Sequence, residues 1–203
     1  MVVIIDYGMG NLFSVENAIK YFGAEVKISD QKEEIEKADR LILPGVGAFP
    51  DGMKNLEKLG IIDVLKKEAL EKEKPFLGIC LGMQLLAAEG EENILTKGLG
   101  WVPGKVKRLQ VDERKFRIPH VGWDDVIPKK DGMLFKAVKQ PVFYFVHSYH
   151  LVPEDSSVIA GVCDYGESFA AAIQKDNIFG VQFHPEKSQK NGLAVLKNFL
   201  DFT

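Results

Sequence analysis

The sequence predicts an α/β protein with a mostly parallel central sheet, flanking helices and an antiparallel extension in its second half. Over the first half of the chain, apolar strand-like runs alternate with helix-like runs, the pattern of parallel strands joined by crossover helices. The second half instead contains short strand-like runs joined by turns. Because 203 residues fit one hydrophobic core, we expect a single domain over residues 1–203.

In the first half, each predicted strand is followed by a predicted helix. Gly23 is expected to stop the first helix, Pro44 to end the third strand, and Gly60 to interrupt the third helix. The predicted strands are 2–6, 25–28, 40–43 and 75–79, and the predicted helices are 11–21, 31–38, 53–72 and 81–89.

The second half is dominated by strand-like runs. Lys175-Asp176-Asn177 is typical of a hairpin connection between two of them. The chain should close with a helix at 191–202, and the predicted strands are 105–109, 142–146, 158–163, 170–174 and 179–183.

Composition and charge exclude several classes of function. Hydrophobic residues make up 46% and charged residues 27%, as in a soluble globular domain, and a net charge of -3 favours neither nucleic acid nor an anionic membrane as partner. The longest mostly apolar run, 76–88, is too short to span a bilayer. Two cysteines do not make a disulfide framework, and there is no paired-cysteine metal signature. A signal peptide is not expected, because no basic segment precedes the apolar start. We therefore expect a cytoplasmic protein without metal or cofactor.

The strongest local feature is a cysteine framed by glycines at a strand–helix junction, Gly78-Ile79-Cys80-Leu81-Gly82. A nucleophile on such a sharp turn is lifted above the sheet, and the glycines remove side chains that would collide there. The helix start favours the thiolate, and the N–H of Leu81 could face a developing oxyanion. The alternative is a buried structural cysteine, the interpretation that we prefer for Cys163, which lacks this frame.

A catalytic thiol needs a base that a third group holds in place. Of four histidines, His184 has the best surroundings, because it follows a predicted strand and begins His184-Pro185-Glu186. Residues two apart in an extended segment project to one side, so Glu186 could orient the imidazole. A capped turn with a solvent-facing glutamate is the alternative. His147 and His150 lack such an acidic neighbour, and either line a pocket or are structural.

Two glycine-containing loops follow predicted strands. Residues 44–49, Pro-Gly-Val-Gly-Ala-Phe, could direct backbone N–H groups towards a ligand and form a second wall of an oxyanion hole, although taken alone they are better explained as an ordinary Pro/Gly turn. Residues 6–11, Asp-Tyr-Gly-Met-Gly-Asn, begin like a dinucleotide-binding fingerprint. Phe13 occupies the place of the third glycine, so nucleotide binding is rejected.

With these pieces assembled, the chain resembles the class I (triad) glutamine amidotransferases over nearly its whole length. Residues 78–84, Gly-Ile-Cys-Leu-Gly-Met-Gln, are similar to the nucleophile segment of that family, and residues 183–188, Phe-His-Pro-Glu-Lys-Ser, to its His-Glu segment. The resemblance implies the family's single-domain fold. It also implies hydrolysis of L-glutamine to glutamate and ammonia through a γ-glutamyl thioester on Cys80, with His184 and Glu186 completing the triad.

Further segments, 6–12, 44–49, 119–123 and 144–149, resemble the glutaminase subunits of imidazole glycerol phosphate synthases, which act in histidine biosynthesis. This resemblance implies a (β/α)₈ cyclase partner that receives the ammonia, and weak activity of the isolated chain. One departure is Asp124, where the family more often has Asn. The implied roles are oxyanion N–H groups at Leu81 and at Val46 or Gly47, glutamine binding by Gln84 and the backbone of His147, Ser148 and Tyr149, and partner contacts by Asn11, Trp123, Tyr144 and Lys187.

Three alternatives remain open from the sequence. The chain could serve another amidotransferase, such as those of pyridoxal phosphate, anthranilate or GMP synthesis. It could also be a cysteine peptidase or esterase with the same elbow, or a non-catalytic binding subunit that keeps only the fold. Glutamate release from glutamine, and the identity of a copurifying partner, separate these alternatives.

Overall fold

The structure, a computed structural model, describes residues 1–129 and 132–202. Its helices are α1 (Leu12–Lys20), α2 (Lys32–Lys37), α3 (Phe49–Leu59), α4 (Ile62–Lys66), α5 (Leu81–Gln84) and α6 (Gln189–Leu200). Its strands are β1 (Val2–Ile5), β2 (Val26–Ser29), β3 (Arg40–Gly45), β4 (Phe76–Cys80), β5 (Ala87–Gly90), β6 (Thr96–Lys97), β7 (Val102–Arg108), β8 (His120–Asp125), β9 (Ile127–Pro128), β10 (Val142–His147), β11 (Tyr149–Pro153), β12 (Ile159–Asp164), β13 (Ser168–Lys175) and β14 (Ile178–Val181).

The main sheet has the strand order β2-β1-β3-β4-β14-β13-β12-β9. Neighbours from β2 to β14 pair in parallel, and β13, β12 and β9 continue the sheet in antiparallel fashion. Two smaller sheets, β11-β7-β5-β6 and β10-β8, flank it. This arrangement confirms the predicted fold class: a mostly parallel α/β sheet with antiparallel strands from the second half of the chain.

Helices cover both faces of the parallel strands. Val3 and Ile5 of β1 are fully buried in a cluster that includes residues of α2, α3 and α4. Val2 and Ile4 point to the opposite face, where the cluster includes residues of α1 and α6. Successive strand residues alternate between two buried faces, so a buried parallel strand is a continuous apolar run in the sequence. Strand β1 is predictable from the sequence for this reason.

Two predicted boundaries were wrong for identifiable reasons. The helix expected at 81–89 ends at Gln84, and β5 follows almost at once. Pro44 does not end β3. The N–H of Leu41 points towards the β4 side, so residue 44 faces β1, whose pairing with β3 has already stopped at Ile42. No ladder hydrogen bond is therefore lost at the proline, and β3 continues beside β4 to Gly45.

Other predicted boundaries hold. Gly60 ends α3 and has a left-handed backbone conformation, with φ 64°. The predicted long helix is therefore interrupted where the sequence indicates. The predicted hairpin joins β13 to β14, which pair antiparallel.

No helix in the described residues is long and apolar enough to cross a membrane. Within the same residues, no group of three or more His, Cys, Asp and Glu side chains could hold a metal ion.

Candidate active site

Cys80 lies at the junction of β4 and α5 with φ 53° and ψ -109°. Such a backbone conformation is unfavourable for a residue with a side chain and persists only where the surroundings enforce it. The flanking glycines explain how it is accommodated. A Cβ on Gly82 would lie 1.7 Å from the carbonyl oxygen of Leu43, and a Cβ on Gly78 would lie 2.6 Å from that of Gly82. The elbow predicted from the sequence is therefore present, and its glycines are sterically required.

His184 and Glu186 form a close pair just beyond β14. Nδ1 of His184 lies 2.8 Å from Oε1 of Glu186, and both side chains are almost fully buried. The backbone N–H of His184 donates to the carbonyl of Tyr144, and the hydroxyl of Ser188 donates to the carbonyl of His184. Pro185 begins the short 3₁₀ turn that brings the glutamate back towards the ring. The segment is thus fixed at both ends, so the imidazole has little freedom to rotate.

The sulfur of Cys80 and the imidazole of His184 interact electrostatically. Burial alone would lower the pKa of His184, but the Cys80 thiol and the Glu186 carboxylate outweigh it and raise that pKa to about 9. Nε2 of His184 makes no hydrogen bond within residues 1–129 and 132–202. The sulfur itself accepts from the amide of Gln182 at 3.6 Å and lies 3.9 Å from the carbonyl oxygen of Val146. Nε2 is therefore the ring atom that can receive the thiol proton of Cys80.

A cavity of about 400 Å³ opens at Cys80. It brings together every residue predicted for the oxyanion hole and for glutamine binding. Lys187, predicted to face a partner, also lines it. The residues around the cavity are Val46, Gly47, Cys80, Leu81, Gln84, Glu92, Pro119, Val146, His147, Ser148, Tyr149 and Lys187.

The side-chain amide of Gln84 is held by the protein. Its Nε2 donates to the carbonyl of Tyr149 at 2.8 Å and to Oε1 of Gln182 at 3.1 Å. These two acceptors fix the orientation of the amide, and Oε1 of Gln84 is the atom left for a ligand. Gln84 thus also braces the wall formed by residues 147–149.

Two residues at the site were missed by sequence reasoning. Gln182, fully buried, contacts both Cys80 and Gln84, but it falls inside an apolar strand-like run. Glu92 lines the cavity, and its carboxylate accepts a hydrogen bond from the N–H of Phe49 at 2.8 Å. With its neighbours Gly90, Glu91 and Asn93 it has the sequence of an ordinary solvated turn, so its place at the cavity was not predicted.

The loop after β3 borders the cavity and carries conformational constraints. Gly47 has φ 115°, a value that side chains rarely adopt, and a Cβ there would lie 2.6 Å from Cε of Met9. Val46 is partly exposed at the cavity mouth. A Cβ on Gly45 would lie 2.1 Å from the hydroxyl of Tyr7. Only glycines fit on either side of Val46, so its peptide groups border the cavity without side-chain cover.

Three of the four predicted partner residues form one surface cluster. The rings of Trp123 and Tyr144 meet edge to face with centroids 5.9 Å apart, and Nζ of Lys187 lies 5.8 Å from the centre of the Tyr144 ring. Trp123 is 47% exposed, so its ring is accessible to a partner. Asn11 caps α1 through the N–H of Ser14, at the same carboxyl edge of the sheet.

The fold is that of a known class of enzymes. A solved structure described as a glutamine amidotransferase superposes with a TM-score of 0.77 at 21% identity, covering 99% of this chain and 98% of that one. The family model for "Glutamine amidotransferase class-I" matches residues 3–202, and the chain belongs to this family.

Within the family, its relatives are more specific. The chain is 48% identical to the imidazole glycerol phosphate synthase subunit HisH 2 of Pseudomonas aeruginosa over 203 residues, 99% of each protein. It is 50% identical to the subunit of the same name from Vibrio vulnificus, over 99% of this chain and 94% of that one.

Proposed function

We propose that the chain is the glutaminase subunit of an imidazole glycerol phosphate synthase. The observation that carries the proposal is the convergence of Cys80, the His184–Glu186 pair and a cavity partly lined by polar side chains at one edge of the sheet. Relatives that share about half of its residues over nearly the whole length carry that name.

In the proposed reaction, His184, whose pKa is raised to about 9, holds the proton of Cys80, and the thiolate attacks the side-chain carboxamide carbon of glutamine. The C–N bond then breaks, His184 protonates the departing ammonia, and a γ-glutamyl thioester remains on Cys80. A water molecule loses a proton to His184, attacks the thioester, and the C–S bond breaks to release glutamate. Glu186 orients the imidazole throughout and stabilises its charged form.

The remaining cavity residues would bind and polarise the substrate. The N–H of Leu81 begins α5, where backbone donors and the helix dipole favour an oxyanion, and Val46 or Gly47 would supply the second donor. Glu92, the acidic side chain at the cavity, suits the α-ammonium of glutamine. Gln84 and the backbone of residues 147–149 would hold the other α-groups.

The ammonia would pass to a (β/α)₈ cyclase subunit docked at the carboxyl edge of the sheet. The cluster of Trp123, Tyr144 and Lys187, with Asn11 nearby, supports docking on this side, since aromatic residues are enriched at interfaces. Lys187 also lines the cavity, so docking could alter the site directly. Rearrangement of the loop after β3 would couple partner binding to the oxyanion hole.

Glutamate release from glutamine, measured with and without the cyclase subunit, tests this proposal. We expect slow hydrolysis by the isolated chain and strong stimulation by the cyclase with its ligand. Cys80→Ala should abolish glutamine use while the complex still works with added ammonium salts. The matched control is Cys163→Ala, since Cys163 is fully buried in the core and burial raises its pKa to about 12. High turnover by the isolated chain, or full activity of Cys80→Ala, would contradict the proposal.

A further inference from the structure

A chain of hydrogen bonds runs from the surface of the protein to the wall of the cavity. Oδ2 of Asp124 lies 3.1 Å from Nε2 of His120, and Nδ1 of His120 lies 3.2 Å from Nε2 of His147. Nδ1 of His147 then lies 2.9 Å from the carbonyl oxygen of Tyr149, which also accepts from Gln84. Asp124 is one-third exposed, whereas both histidines are buried.

The three hydrogen bonds determine how many protons the two histidine rings must hold. A carbonyl oxygen only accepts, so Nδ1 of His147 must carry a hydrogen and its Nε2 must accept. Nδ1 of His120 must therefore donate. An ionised Asp124 also only accepts, so Nε2 of His120 must donate as well. All three hydrogen bonds exist together only when His120 is a doubly protonated imidazolium beside the carboxylate of Asp124.

The surroundings decide where that proton resides. Burial lowers the pKa of His147 to about 3, so His147 stays neutral. Burial also holds the pKa of His120 below its usual value of 6.5, although the Asp124 carboxylate opposes this effect. The His120 ring stacks between Phe145 and Tyr165, with centroids 4.9 and 3.8 Å away, an arrangement that favours a cationic ring. The proton is therefore carried by His120 and is released as the pH rises.

Loss of that proton would reach the cavity. The single hydrogen left on His120 prefers the carboxylate, because charge-assisted hydrogen bonds are stronger. His147 must then donate from Nε2 to His120, which leaves the lone pair of its Nδ1 facing the carbonyl oxygen of Tyr149. The contact that closes the bend at residues 147–149 becomes repulsive, and the segment that lines the cavity loosens.

Other titratable groups also face these rings. His147 is influenced by His150 and His184, and His150 lies 3.5 Å from Glu167. Cys163 lies near Asp124 but, with its pKa raised by burial to about 12, does not titrate near neutrality. These groups surround the chain of hydrogen bonds but do not belong to it.

We propose that Asp124 and His120 are positioning residues that act through His147 on the glutamine-binding wall. The hydrogen bonds that link Asp124, His120 and His147 to this wall are complete only while His120 carries a second ring proton. This inference rests on the proposed glutaminase function. An amide at residue 124 would change the requirement, because its NH₂ can donate to Nε2 of His120 and complete the same chain with both histidines neutral.

The test compares Asp124→Asn with the wild type, as the complex with the cyclase, by measuring KM and kcat for glutamine between pH 4.5 and 8.5. We expect similar KM values at the acidic end of this range, where His120 holds its second proton. Towards pH 8.5 the KM of the wild type should rise to about ten times that of Asp124→Asn, the effect of one hydrogen bond. The matched control is Asp125→Asn, which removes the same charge from the neighbouring exposed residue, on the opposite face of β8.

Nitrogen NMR of the histidine rings provides a reading independent of activity. In the wild type, both ring nitrogens of His120 should be protonated at acidic pH, and one should lose its proton as the pH rises, at a lower pH than for a free imidazole. In Asp124→Asn only Nδ1 should carry a hydrogen at every pH. Parallel KM profiles, or a His120 ring that behaves alike in both proteins, would overturn the inference. An inactive wild-type complex would instead overturn the proposed function and leave the NMR comparison decisive.

Discussion

Nδ1 of His184 lies 2.8 Å from Oε1 of Glu186, two residues further along the chain, and both side chains are almost fully buried. Because an ionised carboxylate only accepts hydrogen bonds, this contact places the ring hydrogen of the neutral imidazole on Nδ1. Nε2 is then left to accept a proton on the side of Cys80. One short contact therefore sets both the tautomer and the direction in which the base acts.

Glu186→Gln should lower kcat for glutamine by about a hundredfold or more, because an amide can donate to Nδ1 and favour the wrong tautomer. The KM should change little, since Glu186 does not line the cavity. Steady-state glutamate release by the complex measures both constants. Glu89→Gln is the control, because Glu89 is a surface carboxylate paired with Lys105. A kcat within threefold of the wild type would show that the carboxylate does not orient the base.

The stability of the fold should depend on pH through His184. Its pKa is raised from 6.5 to about 9, against the effect of burial, by Cys80 and Glu186. A raised folded-state pKa contributes stability fully below pH 6.5, and this contribution is lost as the pH rises through 9. We expect the free energy of unfolding from urea titrations to fall by an amount on the order of 1–3 kcal/mol over that range. Cys80→Ala should flatten the dependence, and an equally steep fall in that variant would contradict the assignment.

Gly82→Ala should destabilise the fold by about 3 kcal/mol or more, because the new methyl group would overlap the carbonyl oxygen of Leu43. Gly100→Ala is the matched control. Gly100 has a positive φ, of 70°, but no atom lies within 4 Å of the added carbon, so only about 1 kcal/mol of backbone strain is expected. Thermal unfolding compares the two variants, and equal losses would show that close packing at the elbow is not the constraint.

Trp123→Ala should weaken binding of the cyclase subunit by about thirtyfold, the cost of removing an aromatic anchor at an interface. Calorimetric titration of the two subunits measures this effect. Tyr21→Ala serves as control, because Tyr21 is even more exposed but follows α1 at its far end, away from the carboxyl edge of the sheet. Unchanged affinity in Trp123→Ala, or equal loss in both variants, would move the docking surface elsewhere.

The sequence was sufficient where a local pattern has one physical meaning. The buried parallel strands are continuous apolar runs, and the elbow has glycines two residues either side of Cys80. His184 and Glu186 were found because their contact spans only two residues. All of these features are local, so long-range packing does not alter how they are interpreted.

The rest depended on contacts between distant segments. The run after Cys80 has helical character, yet it becomes β5 after one helical turn, because β5 pairs with β7 and β6. Strands β8 and β11 are half-polar and are defined by their partners β10 and β7. Gln182 looked like part of an apolar strand, and only the folded chain shows that its amide reaches both Cys80 and Gln84.

Transfer of the amide nitrogen is the most direct test of the account. The complex should be supplied with amide-¹⁵N glutamine, the cyclase substrate and an excess of unlabelled ammonium at a pH where little free ammonia is present. If Cys80 releases ammonia that passes directly to the cyclase, the label should appear undiluted in the imidazole product, and Cys80→Ala should incorporate none. A product whose nitrogen matches the ammonium in solution, or labelled product from Cys80→Ala, would contradict the proposed division of labour.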